Sequence, residues 1–189
     1  MFRDLVLSNR SHREFKAGER IDRALLEEWV LNASNSPAAM NLQPLKYKIL
    51  DTPDGVASIL PLTRWAALLG KKLPPEGHGP SAFIIICHDT DISPMKPIFM
   101  IDVGICAQTI MLSAAEKGYG GCMIGSGPAQ SIQQALGLPE NLVPVLALGL
   151  GVPEDTVVLT QACDSTTYYR DENNVHYVPK RTLEEIIIK

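Results

Sequence analysis

The sequence lacks the composition of several protein classes. Its 189 residues carry 17 Lys and Arg against 21 Asp and Glu, a formal net charge of −4. Nucleic-acid binding depends on dense positive charge, so this balance argues against a protein that acts on DNA or RNA. The chain is 46% hydrophobic and 20% charged, which excludes disorder and suffices for a buried core. We therefore expect one domain over residues 1–189.

Cysteine and long apolar runs are also scarce. The four cysteines are Cys87, Cys106, Cys122 and Cys163. None forms a C-x-x-C pair, so we expect reduced thiols in a cytoplasmic protein. The N-terminus alternates charged and apolar residues, unlike a signal peptide. The longest apolar stretch, Phe99–Ala115, is interrupted by Asp102 and falls short of a predicted membrane span.

No familiar catalytic or nucleotide-binding motif is complete. A predicted helix precedes the glycines at 118–121, where the dinucleotide fingerprint needs a strand, and Met123 occupies the third glycine position. Gly125-Ser126-Gly127 is not a nucleophile elbow, because Ile124 stands where the first glycine is required. The four histidines lack the spacing of metal ligands, and no pair of carboxylates suggests an acid–base couple.

Hydrophobic periodicity predicts an α+β fold, since helices and strands do not alternate strictly. The predicted helices are Phe2–Asn9, a helix capped by Asp22 that ends near Asn35, one starting at Thr52-Pro53, Phe99–Lys117, Pro128–Leu136 and Leu183–Ile188. The predicted strands are Lys46–Leu50, Ala82–Cys87, Leu142–Leu148, Val157–Leu159 and Val175–Val178. Because Phe99–Lys117 is apolar almost all round, we expect a core helix or a subunit interface there.

Basic and amide side chains gather in three segments, Asn9–Phe15, Ser36–Pro44 and Val178–Arg181. Each has an ordinary explanation, as a solvated helix exit, a loop and a helix-capping basic pair. Together, however, Arg and Lys suit a phosphate group, because Arg binds it bidentately and Lys supplies a compact charge.

In their order along the chain, these segments resemble motifs of the FMN-dependent nitroreductase family. Asn9–Phe15 resembles its R-R-S-x-R-x-F opening, and Ser36–Pro44 resembles its S-P-S-x-x-N-x-Q-P motif. Further similarities are Asp102-Val103-Gly104 to its D-x-G helix, Ala114–Gly120 with Gly120–Gly125 to its glycine exit, and Leu136–Pro139 with Leu146–Gly149 to its L-G-L-P segment and strand. The ordered set spans about residues 2–188, although no single motif is specific.

The resemblance implies an α+β fold with a mixed, largely antiparallel sheet flanked by helices, in an intertwined homodimer with two FMN sites. The opening motif and the C-terminal basic residues would hold the ribityl phosphate, the second motif would come from the other subunit, and the glycine exit would lie along the isoalloxazine. The implied FMN-binding residues are Arg10, Ser11, Arg13, Pro37, Ala38, Ala39, Met40, Asn41, Cys122, Met123, Ile124, Gly125, Lys180 and Arg181. Glycines near residue 120 would let the backbone approach the ring closely.

The implied activity is ping-pong transfer of reducing equivalents from NAD(P)H through FMN to a small acceptor such as a nitroaromatic or a quinone. Since the flavin carries the chemistry, no catalytic side chain is assigned. A non-catalytic FMN-binding sensor or storage protein and a reductive dehalogenase stay open as alternatives. Asn9 departs from the family's first Arg, and Ala38 and Ala39 replace its hydroxyl residues. Trp65 is a weak candidate for the substrate wall, because large aromatics are mostly buried.

Overall fold

The computed structural model describes residues 1–188. Its helices are α1 (Phe2–Ser8), α2 (Arg23–Ser34), α3 (Pro53–Ile59), α4 (Phe99–Glu116), α5 (Ala129–Ala135) and α6 (Leu183–Ile186). Its strands are β1 (Leu45–Leu50), β2 (Ala82–Asp89), β3 (Gly120–Ile124), β4 (Leu142–Gly151), β5 (Val157–Gln161), β6 (Tyr169–Arg170) and β7 (His176–Lys180). Every predicted element is present with ends shifted by a few residues, whereas β3 and β6 were not predicted.

The main sheet is antiparallel and has the strand order β1-β2-β4-β3. Every residue of β2 is buried, as its continuous apolar run predicted, because both faces of the sheet are covered. Ile84 and Ile86 face a core formed with α2 and α4, and Phe83 and Ile85 face a second core with Ile59 and others. The predicted α+β class is therefore confirmed.

A second, smaller sheet has the order β5-β7-β6, with β5 parallel and β6 antiparallel to β7. It follows β4 directly in the chain, and an isolated bridge between Phe15 and Pro153 joins the N-terminal segment to the connection between β4 and β5. The mixed, largely antiparallel character predicted for the protein thus comes from two sheets. The small sheet also contacts the opening segment, through Arg13 and His176.

Helix α4 is buried on one side only. Val103, Ala107 and Ile110 lie in the core, whereas Ile101 and Ile105 are exposed. By length and composition alone, α4 could cross a membrane. The core helix of a globular domain passes the same test, and α4 packs on α2 and β3 with 44% of its residues buried. Met100, Ile101 and Ile105 form an exposed apolar side of α4.

Candidate functional site

The opening segment runs along the outer edge of β3. Ser11 forms a parallel bridge with Gly121, and the His12 N–H donates to the Gly121 carbonyl at 2.9 Å. A Cβ on Gly120 would lie 2.6 Å from the His12 ring, and one on Gly121 would lie 2.4 Å from the Gly149 carbonyl oxygen. These glycines permit close packing of the protein on itself, and the approach of a flavin ring to this segment stays a prediction. Gly125 is exposed, and a Cβ there would make one ordinary contact, 3.9 Å from Leu146 Cδ1.

Beyond this bridge the edge of β3 has no strand partner among residues 1–188. Backbone groups alternate in direction along a strand, so the N–H and C=O of Met123 point to the same edge as those of Gly121. Leu150 of β4 lies opposite Gly121, and its carbonyl accepts a hydrogen bond from the Ser81 N–H on the side of β4 away from β3. This bond determines which backbone groups of β3 point to its outer edge. Met123 thus presents a free N–H where its own side chain is 37% exposed.

Arg10 lies next to this edge, just after α1. One Nη donates to the Val6 carbonyl at 2.8 Å, while its Nε is buried and has no hydrogen-bond partner. No carboxylate pairs with Arg10 within residues 1–188, and burial lowers its pKa. A cleft of about 210 Å³ separates Arg10 and Ser11 from Gln108 and Met123. A partly desolvated guanidinium beside free backbone N–H groups is a site for an anion.

Arg13 turns away from the cleft and contacts the small sheet. Its Nη1 donates to the Ser11 carbonyl at 3.1 Å and lies 3.3 Å from His176 Nε2, and its guanidinium carbon lies 5.4 Å from the centre of the Tyr168 ring. Its Nε is also buried without a partner. Arg13 therefore supports the opening segment on the side away from the cleft.

A buried cluster of charges fixes the backbone of that segment. Asp155 accepts from His12 Nδ1 at 2.8 Å, from the Arg13 N–H at 3.0 Å and from Arg170 at 3.2 Å. Arg170 also binds Glu14. Burial opposes ionisation of Asp155, but the hydrogen bonds from His12 and the Arg13 N–H outweigh it and lower its pKa. The carboxylate is therefore a stable anchor near neutral pH.

His176, behind Arg13, is 1% exposed. Burial, and then the charges of Arg13 and Arg170, lower its pKa to about 4. A neutral imidazole can accept a hydrogen bond from Arg13, which a protonated ring cannot do. These contacts join the opening segment to three residues more than 140 positions further along the chain, Asp155, Arg170 and His176. Local sequence patterns therefore did not reveal them.

The second motif, Ser36–Pro44, contacts α4 at Asp102, away from the Arg10 cleft. Pro37, Ala38, Ala39, Met40 and Asn41 form a loop with a short 3-10 turn at Ala39–Asn41. Met40 and Asn41 have positive φ of 52° and 54°, as does Gln43 at 50°. Such backbone costs on the order of 1–3 kcal/mol per residue and needs support from its surroundings. The Ala39 N–H donates to both carboxylate oxygens of Asp102 at 3.0 and 3.1 Å, and Met40 is 74% exposed.

This loop does not reach the Arg10 cleft of its own protomer. Asp102, which holds the loop, and Gln108, which lines the cleft, are separated along α4 by a rise of ~9 Å and a rotation of ~240°. The two features therefore lie on different sides of the helix.

The C-terminal basic pair does not line the Arg10 cleft within residues 1–188. Lys180 ends β7 and is exposed, and Arg181 pairs with Glu185 at 3.5 Å on the surface. The structure thus brings Arg10, Ser11 and Met123 around one cleft, and Lys180 and Arg181 are not among the residues that line it.

The other predicted residues have structural surroundings. Cys122 and Ile124 are buried in the second core, and burial raises the pKa of the Cys122 thiol although Arg13 opposes it. Trp65 is 5% exposed and donates to Thr63 Oγ1 at 2.8 Å, so it is a core residue here. Sequence reasoning did not assign Gln108 to the cleft, although a lone amide in an apolar helix was a usable signal.

Known proteins resemble this chain in sequence. A sequence model of the Nitroreductase family matches residues 6–75 and 79–152. The chain belongs to the nitroreductase family. A Bacillus subtilis (strain 168) protein, provisionally described as the NAD(P)H nitroreductase YdgI, is 22% identical over 187 residues, which cover 82% of this chain and 89% of that protein. The predicted family is confirmed.

Solved structures show the same fold. A nitroreductase family protein from Streptococcus pneumoniae TIGR4 superposes with a TM-score of 0.75 at 14% identity, covering 100% of both chains. A provisionally assigned nitroreductase from Exiguobacterium sibiricum 255-15, solved in complex with FMN, superposes with a TM-score of 0.68 at 21% identity, covering 82% of this chain and 89% of that one. Membership of the family and these neighbours support an oxidoreductase.

Proposed function

We propose that the protein is an FMN-dependent oxidoreductase that accepts reducing equivalents from NAD(P)H and passes them to a small acceptor such as a nitroaromatic or a quinone. The observation that carries this proposal is the buried, unpaired Nε of Arg10 beside the free edge of β3. Within the nitroreductase family, a phosphate-bearing flavin is the ligand that matches both a cationic end and a strand edge. The FMN complex of the Exiguobacterium relative supports the same assignment.

The residues of the cleft fit FMN. Arg10 and the Ser11 hydroxyl would bind the phosphate, and the Met123 N–H would donate to the ring. When bound, FMN supplies hydride chemistry at its N5, so the chain needs to bind and orient it without an acid–base pair. An exposed Ser11 and a partly exposed Met123 leave the cleft open, and this opening would admit NAD(P)H and the acceptor in turn, in ping-pong order.

The complete site would need two protomers in a homodimer. The Ala38–Asn41 loop and the Arg10 cleft lie on different sides of α4, so the loop would reach the cleft of a partner. The exposed apolar side of α4, with Ile101 at 57% and Ile105 at 36% exposure, is the surface on which that partner would pack. Four free cysteines, Cys163 among them exposed, suit a reducing compartment such as the cytoplasm.

The test is a visible absorption spectrum of the purified protein after incubation with FMN and gel filtration. We expect bound flavin, and we expect anaerobic NADH or NADPH to bleach it and a quinone or nitroaromatic to restore it. A colourless protein would contradict FMN binding. A yellow protein that neither nicotinamide bleaches would instead be a non-catalytic flavoprotein.

A further inference from the structure

Asp102 is a buried carboxylate whose hydrogen bonding is unusually sparse. It is 3% exposed, and among residues 1–188 its side chain accepts from one donor, the Ala39 N–H. No cation pairs with it in that range. A carboxylate can accept about four hydrogen bonds, so its burial with a single donor indicates that this contact has a specific role.

The contact secures the most strained loop of the protein. Met40, Asn41 and Gln43 are three of the five non-glycine residues with positive φ. The loop has two side-chain attachments to α4, Ser36 to Thr109 at 3.1 Å and Ala39 to Asp102, and the second lies directly before the strained residues. Without an acceptor at position 102, the 3-10 turn loses its fixed starting point.

We infer that Asp102 is a positioning residue for the cofactor, because it fixes the Ala38–Asn41 loop in the conformation that contacts FMN bound by the partner subunit. The inference depends on the proposed function and makes it more specific. Asp102 does not itself touch the cofactor cleft, which is lined by Arg10, Ser11, Gln108 and Met123 on another side of α4. Its contribution passes through one backbone N–H.

Two substitutions remove this hydrogen bond from opposite ends. Asp102→Ala removes the acceptor, and Ala39→Pro removes the donor. Proline suits this place, since Ala39 begins the turn and Ala38 before it is extended at φ −129° and ψ 149°. Asp102→Asn is the conservative variant, because its amide oxygen can still accept from Ala39. Glu116→Ala, an exposed carboxylate at the far end of α4, is the matched control.

The experiment is titration of each apo-protein with FMN, followed by flavin fluorescence, beside a urea unfolding curve. We expect Asp102→Ala and Ala39→Pro to weaken FMN binding about 10- to 100-fold, Asp102→Asn to recover most of the affinity, and Glu116→Ala to match the wild type. The double variant should bind no more weakly than Asp102→Ala alone, since both changes break one bond.

A merely structural role predicts a different result. FMN affinity would then follow the loss of stability, and Asp102→Asn would show no selective recovery. That outcome, or affinities within twofold of the wild type for both Asp102→Ala and Ala39→Pro, would overturn the inference. Wild-type protein that binds no FMN would overturn the proposed function instead, so the two failures are distinguishable. If Asp102→Ala does not fold, Ala39→Pro and Asp102→Asn decide the question.

Discussion

Arg10 occupies a position where a cation is costly unless a ligand completes it. Its Nε is buried without a partner, and burial lowers its pKa, because the surroundings offer a carbonyl and no carboxylate. The Nε of Arg13 is buried without a partner as well, but its Nη1 contacts Ser11 and His176, and Arg13 does not line the cleft. Of the two arginines of the opening motif, only Arg10 lines the cleft. Arg10 is the better candidate for the phosphate, and Arg13 supports the segment that carries it.

This difference can be measured with two flavins. We expect Arg10→Gln to weaken FMN binding by about 1.5–3 kcal/mol, the usual value of a hydrogen bond to a charged group. Riboflavin, which has no phosphate, should bind Arg10→Gln and wild type equally well. Arg3→Gln, at an exposed position of α1, is the control for a lost charge. Equal losses for FMN and riboflavin would show that Arg10 acts on the fold of the site and not on the phosphate.

At the scale of elements, the small sheet supports the opening segment, and His176 makes that support depend on pH. Its pKa is about 4 in the folded protein against 6.5 in a model compound. Between these values the unfolded chain binds more protons, so the free energy of unfolding should fall as pH decreases from 6.5 to 4. The size of the loss is about 2–3 kcal/mol.

Urea unfolding at several pH values from 7.5 to 4.5 would test this prediction. His176→Gln should reduce the change in the free energy of unfolding with pH, because the group that gains a proton on unfolding is gone. A wild-type slope in His176→Gln would assign the pH dependence to other groups.

The elements also show which features a sequence reveals. Strand β2 and helix α2 were predictable, because an apolar run and an Asp22 cap are local signals. Strand β3 was not, since glycine disfavours strands, and its pairing depends on β4 and Ser11. The Asp155 cluster joins residues far apart in the chain, so no local sequence pattern predicts it. The site motifs were recognised as an ordered set, whereas their spatial separation within one protomer needed the structure.

At the scale of the whole molecule, the separation of the Ala38–Asn41 loop from the Arg10 cleft predicts which residues of each chain would complete each of two sites in a dimer. If Arg10 of one protomer and the Asp102-supported loop of the other complete each site, then defects in the two residues can be sorted between sites. A heterodimer of Arg10→Gln and Asp102→Ala chains would contain one site with both defects and one site with neither. If loop and cleft acted within one chain, both sites would carry one defect.

Co-expression of the two variant chains with different affinity tags, followed by sequential purification, would isolate this heterodimer. We expect it to bind one FMN per dimer with wild-type affinity, whereas both variant homodimers bind weakly at every site. The wild-type chain carrying the same pair of tags is the control for purification, with two tight sites. Two equally weakened sites in the heterodimer would place the loop and the cleft in the same chain. Such a result would contradict the shared site while leaving the phosphate role of Arg10 intact, because that role is measured separately by the comparison of FMN with riboflavin.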